Sequence, residues 1–270
     1  PEMRLGYRTR AEFHGDGRQL GYYAYHTNRV IPMGRCPLCH DYVNAAFAQL
    51  QPMGLRGSVM VTVHPLTGET LLWAPDEFAG RVRKAFRLVN SPSDRNARHS
   101  FLMDGVPVIN GAFSQSGLLL NRLLVETVHS MAGSPRSLLD LYCGSGNLSL
   151  GFPDSVSVEG YDHTAGAAAA ADALGRGRYF QGDERSMCSV LEVGEFDTIL
   201  LDPPRSGAAA LMPALSRVSA DRIVYVSCDP ATLARDLRVL TGGGWQVRDV
   251  VALDLFPYTP HVETVCRLER

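Results

Sequence analysis

The sequence predicts an α/β protein: a mostly parallel sheet with an antiparallel hairpin at one edge, preceded by a smaller α+β region. Two observations carry this reading. From about residue 118, short apolar runs alternate with segments of helical period, the pattern of a parallel sheet covered by helices. Before residue 110, short alternating runs are punctuated by Gly, Pro, Asn and Asp, which is strand-and-turn texture. The expected division is therefore 1–110 and 111–270.

The front region reads as strands in "GYRTRAEFHG", "QLGYYAYH", "GSVMVTVHP", "ETLLWAP" and "HSFLMDGVPVI". One helix is expected over "CHDYVNAAFAQLQPM", closed by Pro52. The stretch "PDEFAGRVRKAFRLV" fits either a second short helix or a helical turn followed by a strand. Farther on, "LLLNRLLVETVHSM" has helical period. "SLLDLYCGSGNLSLGF" reads as a buried strand, a glycine turn and a helix start. "SVSVEGYD" is a strand ending in an acid, and "TAGAAAAADALG" an alanine-rich helix closed by glycine. "GRYFQGD" and "FDTILLDPPRSG" are strands, "LMPALSRV" a helix, and "RIVYVSCD" a strand. "PATLARDLRVLTGGG" is a helix with Pro230 in its first turn, where proline is tolerated. "WQVRDVVALDLFP" and "HVETVCRLER", joined by a short Pro-containing link, form the edge hairpin.

Composition narrows the class. The 270 residues are 45% apolar, and no apolar run approaches the roughly 18 residues of a membrane span. The chain's start does not resemble a secretion signal, so a cytoplasmic setting and reduced thiols are expected for the six cysteines at 36, 39, 143, 188, 228 and 266; separately, a monomer is expected. Cys36 and Cys39 form the single CxxC; a zinc site would need a second pair or spaced histidines, so no metal is expected. Net charge is −2, but residues 1–110 carry 13 basic and 9 acidic groups while residues 111–270 carry 13 and 19. Lys84 is the one lysine. A mildly basic, arginine-rich front half points weakly to a nucleic-acid partner.

Ligands of an open parallel sheet sit outside the carboxyl ends of its strands. Those ends hold Asp140 to Asn147, then Asp162, Asp183, Asp202-Pro203-Pro204 and Cys228. In "DLYCGSGN" the glycines permit a tight turn and close ligand approach. The third position of a GxGxxG pattern is Ser149, which disfavours a dinucleotide. Asp162 suits ribose hydroxyls, and the combination suits an adenosine ligand without a pyrophosphate, such as S-adenosylmethionine. In "LLDPPRSG" two prolines stiffen the chain after Asp202. Cys228, in "VSCDPATLARDL", reads either as a small core residue or as a nucleophile.

Taken in order, "DLYCGSGN", "LDPPRSG", "VSCDPATLARDL" and "LFPYTPHVETV" resemble the bacterial-type RNA 5-methyluridine methyltransferases. "GYRTRAEFH" and "RCPLC" resemble that family's central domain, and "FSQSG" the motif before its catalytic fold. The resemblance implies a Rossmann-like class I methyltransferase sheet acting on a uridine of tRNA or 23S rRNA with S-adenosylmethionine. It implies that Gln115, Tyr142, Asn147, Asp162, Asp183 and Asp202, with Gly144 in the loop, surround the cofactor. It makes Cys228 the nucleophile that adds to uracil C6 and Glu263 the general base that removes the C5 proton. His261 either assists Glu263 or orients the loop, and Cys143, Cys188 and Cys266 are packing residues.

Three expectations attach to this reading. The start of the helix after Cys228 should lower its thiol pKa. Asp229, where the family often has asparagine, should oppose that by its charge. With Gly117 standing where the family's FxQxN has its asparagine, one cofactor or substrate contact should be lost or replaced. Two other readings remain at the level of sequence: a methyltransferase with an amine or protein acceptor, and a catalytically silent RNA- or cofactor-binding module.

Overall fold

The computed structural model describes residues 3–94 and 98–270. Contacts within the chain group Pro1–Met103 with Val108–Asn121 as one compact unit, and Asp104–Pro107 with Arg122–Arg270 as a second.

The first unit is built on β1 (Arg10–Asp16), β2 (Leu20–Tyr23), β3 (Val30–Pro32), β4 (Arg56–Val63), β5 (Thr70–Trp73) and β6 (Leu88–Asn90), in the order β3-β2-β1-β4-β5-β6. Every pairing is antiparallel except β5 with β6. Burial alternates along β1, so Ala11 and Phe13 face the core while Glu12 and His14 face away. That core is closed by α1 (Asp41–Leu50), whose Val43, Ala46, Phe47 and Leu50 lie on one stripe, and by Val82 of α2 (Asp76–Val82). "PDEFAGRVRKAFRLV" thus resolves as a short helix followed by a strand. β7 (Ser100–Met103) and β8 (Val106–Ile109) pair as a hairpin; Phe101, Met103 and Val108 pack on Leu71 and Leu118.

The second unit runs α3 (Asn121–Ala132), β9 (Ser137–Leu141), β10 (Ser157–Asp162), α4 (Ala165–Asp172), β11 (Arg178–Gln181), α5 (Glu184–Val193), β12 (Thr198–Leu201), α6 (Met212–Leu215), β13 (Arg222–Ser227), α7 (Pro230–Gly242), β14 (Gln246–Leu253) and β15 (Glu263–Glu269). The sheet order is β11-β10-β9-β12-β13-β15-β14. The first five strands in that order are parallel, and β15 runs antiparallel to both β13 and β14. All four residues of β12 are buried, as are the last five of β13, because helices cover both faces. The expected edge hairpin is present, with its second strand slotted inward.

One expected element is absent. No helix starts after "DLYCGSGN"; residues 144–151 form successive turns. Tyr142, Gly144 and Gly146 all have left-handed backbone, at φ 62°, 55° and 77°, and Pro153 follows too soon for a regular helix to build. No helix among the described residues is long and apolar enough to cross a membrane.

Asp236 of α7 ties the loop after β12 to the core. It is 1% exposed and accepts the Tyr225 hydroxyl at 2.7 Å and the Ala208 N–H at 2.9 Å, with Arg235 alongside. Asp236→Ala strands both donors in an apolar setting. It is expected to cost about 3 kcal/mol, read as a lower midpoint in urea unfolding.

Candidate active site

The strand ends of the second unit converge on a group of acids. Asp140, inside β9, is fully buried; its Oδ2 accepts the Ser149 hydroxyl at 2.5 Å, and its Oδ1 has no partner. Asp162, at the end of β10, accepts the Gly144 N–H at 2.9 Å and the Thr164 N–H at 2.7 Å. One carboxylate therefore pins the glycine turn and the approach to α4. A Cβ on Gly144 would meet nothing within 4 Å, so the turn borders open space. Tyr142 donates from its hydroxyl to Glu184 Oε1 at 3.2 Å, and Asn147 is half-buried in the same turn. Asp183 is exposed and caps α5, accepting the Ser186 N–H and hydroxyl, each at 3.0 Å; these bonds hold its carboxyl below the usual range.

Asp202 follows β12, and Cys228 and Glu263 meet by register. Ser227 pairs with Thr264 at the end of the antiparallel β13–β15 ladder. Cys228 follows Ser227 just beyond the end of that ladder and Glu263 precedes Thr264, so both lie at this edge, and the two interact electrostatically. Burial raises the Glu263 carboxyl, which is 6% exposed. Burial also raises Asp202 well above the usual range, with Glu263, Asp140 and Asp162 adding to the effect. Asp140 is pushed up to about 7 by burial, with Asp162 also raising it.

The expectation of a lowered thiol pKa at Cys228 is not met. Burial is the leading cause raising it; Glu263 and Asp202 add to this, and Arg205 opposes them by charge and hydrogen bond. The start of α7 does not serve the thiol, because Asp229 takes its amides: the carboxylate accepts Ala231 N–H and Thr232 N–H, both at 2.9 Å. These bonds keep Asp229 charged, and the acid that chiefly faces the thiol is Glu263.

Two further residues belong here, one to which the sequence assigned no role and one that it marked only as a strand end. Arg205, the last residue of "DPPR", is the cation acting on Cys228, Glu263 and Asp229. Its Nη2 lies 3.3 Å from His261 Nε2. A guanidinium can only donate, so His261 accepts through Nε2 and carries its proton on Nδ1. His261 thus orients Arg205. The other residue is Asp140, an acid inside an otherwise apolar strand. Its signal was legible as a charge that a buried strand does not tolerate without purpose.

Gln115 is half-buried in the first unit. Its flanking residues are fixed to β1: Ser116 O accepts the Thr9 N–H at 2.7 Å, and Ser114 Oγ accepts from Arg10 at 3.0 Å. A Cβ at Gly117 would sit 3.3 Å from both the Tyr7 ring and the Tyr7 carbonyl oxygen. Close packing on Tyr7 therefore accounts for glycine in place of the asparagine.

The donor set suits a cationic ligand bearing a ribose. Several carboxyl groups raise one another's pKa, an unpartnered buried Asp140 oxygen stands among them, and the turn beside Asp162 borders open space. Fold and site together define a class I methyltransferase-type unit. Residues 167–270 match the family model described as tRNA (Uracil-5-)-methyltransferase. The chain is 37% identical over 170 residues to 23S rRNA (uracil(1939)-C(5))-methyltransferase RlmD of Pseudomonas entomophila, covering 59% of this chain and 38% of that relative. It is 41% identical over 141 residues to the RlmD of Pseudomonas aeruginosa, covering 49% and 31%. Its fold is similar to that of the Pyrococcus abyssi tRNA (uracil-54, C5)-methyltransferase solved with S-adenosyl-L-homocysteine, at TM-score 0.77 and 21% identity, over 98% of this chain and 76% of the other. In this second unit the chain is similar to the RNA 5-methyluridine methyltransferases. It spans well under half the length of these curated relatives.

Two outcomes follow from the electrostatics. Burial pushes Asp140 up to about 7 in the fold, against an ordinary aspartate value of 3.8, so folding holds its proton between those pH values and stability falls as pH rises through them. The stability of Asp140→Asn relative to the parent should therefore climb from pH 4 and level off above pH 8, by up to about 4 kcal/mol. Thermal midpoints measured across that range check it. Removing Arg205 should raise the Cys228 pKa further. Alkylation of the Cys228 peptide by iodoacetamide at pH 8.5, followed by mass spectrometry, should slow several-fold in Arg205→Ala and less in Arg205→Lys.

Proposed function

We propose that the chain methylates carbon 5 of a uridine in RNA, with S-adenosylmethionine as donor and a covalent adduct on Cys228. The observation that carries this reading is that Cys228 and Glu263 flank the end of the β13–β15 ladder at the sheet's carboxyl edge and interact electrostatically. A thiol and a buried carboxylate in that relation fit uracil C5 chemistry; amine or protein methylation requires neither.

Asp162 is suited to the ribose hydroxyls, and Asp140 and Asp202 to the cationic portion of the cofactor, with Tyr142, Gly144, Asn147, Asp183 and Gln115 completing its surroundings. When bound, S-adenosylmethionine supplies an electrophilic methyl group on a sulfonium. The Cys228 thiolate adds to uracil C6, and the ring's electrons move toward C5, making it nucleophilic. After C5 carries the methyl group, Glu263 takes the C5 proton; the C5–C6 double bond reforms and the thiolate leaves. Burial helps Glu263 here, since a raised pKa makes a carboxylate a stronger base. The same burial disfavours the thiolate, and Arg205 is the group that compensates.

The relatives' names point to 23S rRNA and tRNA, and one of these structured RNAs is the proposed partner, in the cytoplasm. The target base must leave its stack to reach Cys228. We assign RNA holding chiefly to residues 1–110 and catalysis to residues 111–270.

The test is transfer of label from S-adenosylmethionine to RNA, with the product nucleoside identified by mass spectrometry. Label on uridine C5 is expected; label on an amine or on protein would sink the reading. Cys228→Ala should abolish turnover while cofactor affinity stays within about twofold of the parent. Glu263→Gln should accumulate an RNA–protein adduct that survives denaturation, since the C5 proton is no longer removed.

A further inference from the structure

The outer face of the first unit's sheet carries ring surfaces that the proposed chemistry does not use. His14 points away from the core, and its Nδ1 is 2.9 Å from Ser58 Oγ, which fixes the imidazole. Tyr23 lies flat on it, with ring centroids 3.8 Å apart and planes 7° from parallel. Tyr23 remains 40% exposed, so much of its side chain is still in reach of solvent. Two residues on, in the turn between β2 and β3, Tyr25 is 89% exposed beside the His26 ring, 4.0 Å away. That turn is ordered by its own bonds: Ala24 N–H donates to Arg29 O at 2.9 Å and the Thr27 hydroxyl to Ala24 O at 3.0 Å. His26 takes a left-handed backbone at φ 54°, a conformation disfavoured for a residue other than glycine. Folding therefore holds a tyrosine out in water on a strained turn, where it adds nothing to a core.

The charge around these rings suits an anion. Arg29 stands on the turn and Arg10 on the same face of β1; against them stand Glu12 and Asp16, and Asp16 is already engaged by the Arg18 and Gln19 amides. The wider balance points the same way, +4 over residues 1–110 against −6 over 111–270. A polyanion is drawn to the front of the chain and repelled by the rest.

We propose that Tyr25 and the His14–Tyr23 stack form a platform on which unpaired bases of an RNA stack. The proposal rests on the RNA reading above and extends it to a second binding surface. Every base has a π-face, so rings of this kind take single strands with little regard to sequence, whereas a duplex hides those faces.

The experiment uses the full chain and a fluorescein-labelled, uridine-rich single strand, with a duplex of equal length for comparison, at fixed salt. Anisotropy should report a loss of about tenfold in single-strand affinity for Tyr25→Ala and for Tyr23→Ala, by the usual effect of removing one stacking ring. Tyr25→Phe should bind like the parent, and duplex binding, cofactor affinity and thermal midpoint should not move. In Tyr25→Trp, the single strand should quench the new tryptophan's emission. Parent-like single-strand binding by both alanine variants overturns the platform and leaves the turn to a protein partner; an equal loss for duplex and single strand overturns it too. Methyl transfer is scored separately. A parent chain that methylates uridine but binds RNA independently of Tyr23 and Tyr25 sinks the platform alone. One that stacks RNA there but transfers no methyl group sinks the methylation reading alone.

Discussion

Everything at the candidate site depends on one strand running against its neighbours. β15 enters between β13 and β14 antiparallel to both, so its first residue lies at the carboxyl end of β13. A parallel strand in that slot would send Glu263 to the opposite edge, far from Cys228. Antiparallel pairing is what allows two residues 35 positions apart in sequence to become cross-strand neighbours, with Ser227–Thr264 as the last ladder pair beneath them.

Bringing Cys228 to that edge has an electrostatic consequence. Asp140, Asp202 and Glu263 are raised by burial, and Asp202 is raised further by the charges of Glu263 and Asp140. The thiol meets the same burial and the same negative field. Such a site is destabilised until a cation enters, and Arg205 is the cation that the fold itself provides. Its reach to Cys228 and Glu263 rests on the two prolines before it and on His261, whose neutral Nε2 accepts from the guanidinium. The proposed nucleophile thus relies on a loop, and the loop relies on Asp236 holding Ala208 to the core.

The strand-end residues were legible because burial dictates pattern: apolar runs that stop on Asp162, Asp202 or Cys228 mark where a covered strand meets solvent. The edge hairpin was legible from the short link between its strands, but the inward place of its second strand was not. Other features were not, because they are settled by contacts between distant segments. "NLSLGF" has apolar spacing suited to a helix, yet left-handed residues at 142, 144 and 146 and the proline at 153 prevent one. Gly117 packs closely on Tyr7, 110 positions earlier, a contact that the local sequence does not announce. Arg205 was written in "DPPR" with no hint of its partners, since those come from the ends of other strands.

Asp229 carries the sharpest case of local sequence misread without its geometry. Beside a cysteine, an acid reads as an opposing charge, and a helix start reads as an aid to the thiolate. The fold makes the two features answer each other: the Asp229 carboxylate bonds the Ala231 and Thr232 amides, so its charge is spent on the helix start and the helix start is spent on it. Asparagine could cap the same amides without the charge, so the acid at this position changes the cap more than the thiol. What governs Cys228 is burial first, and then the balance between Glu263 across the sheet and Arg205.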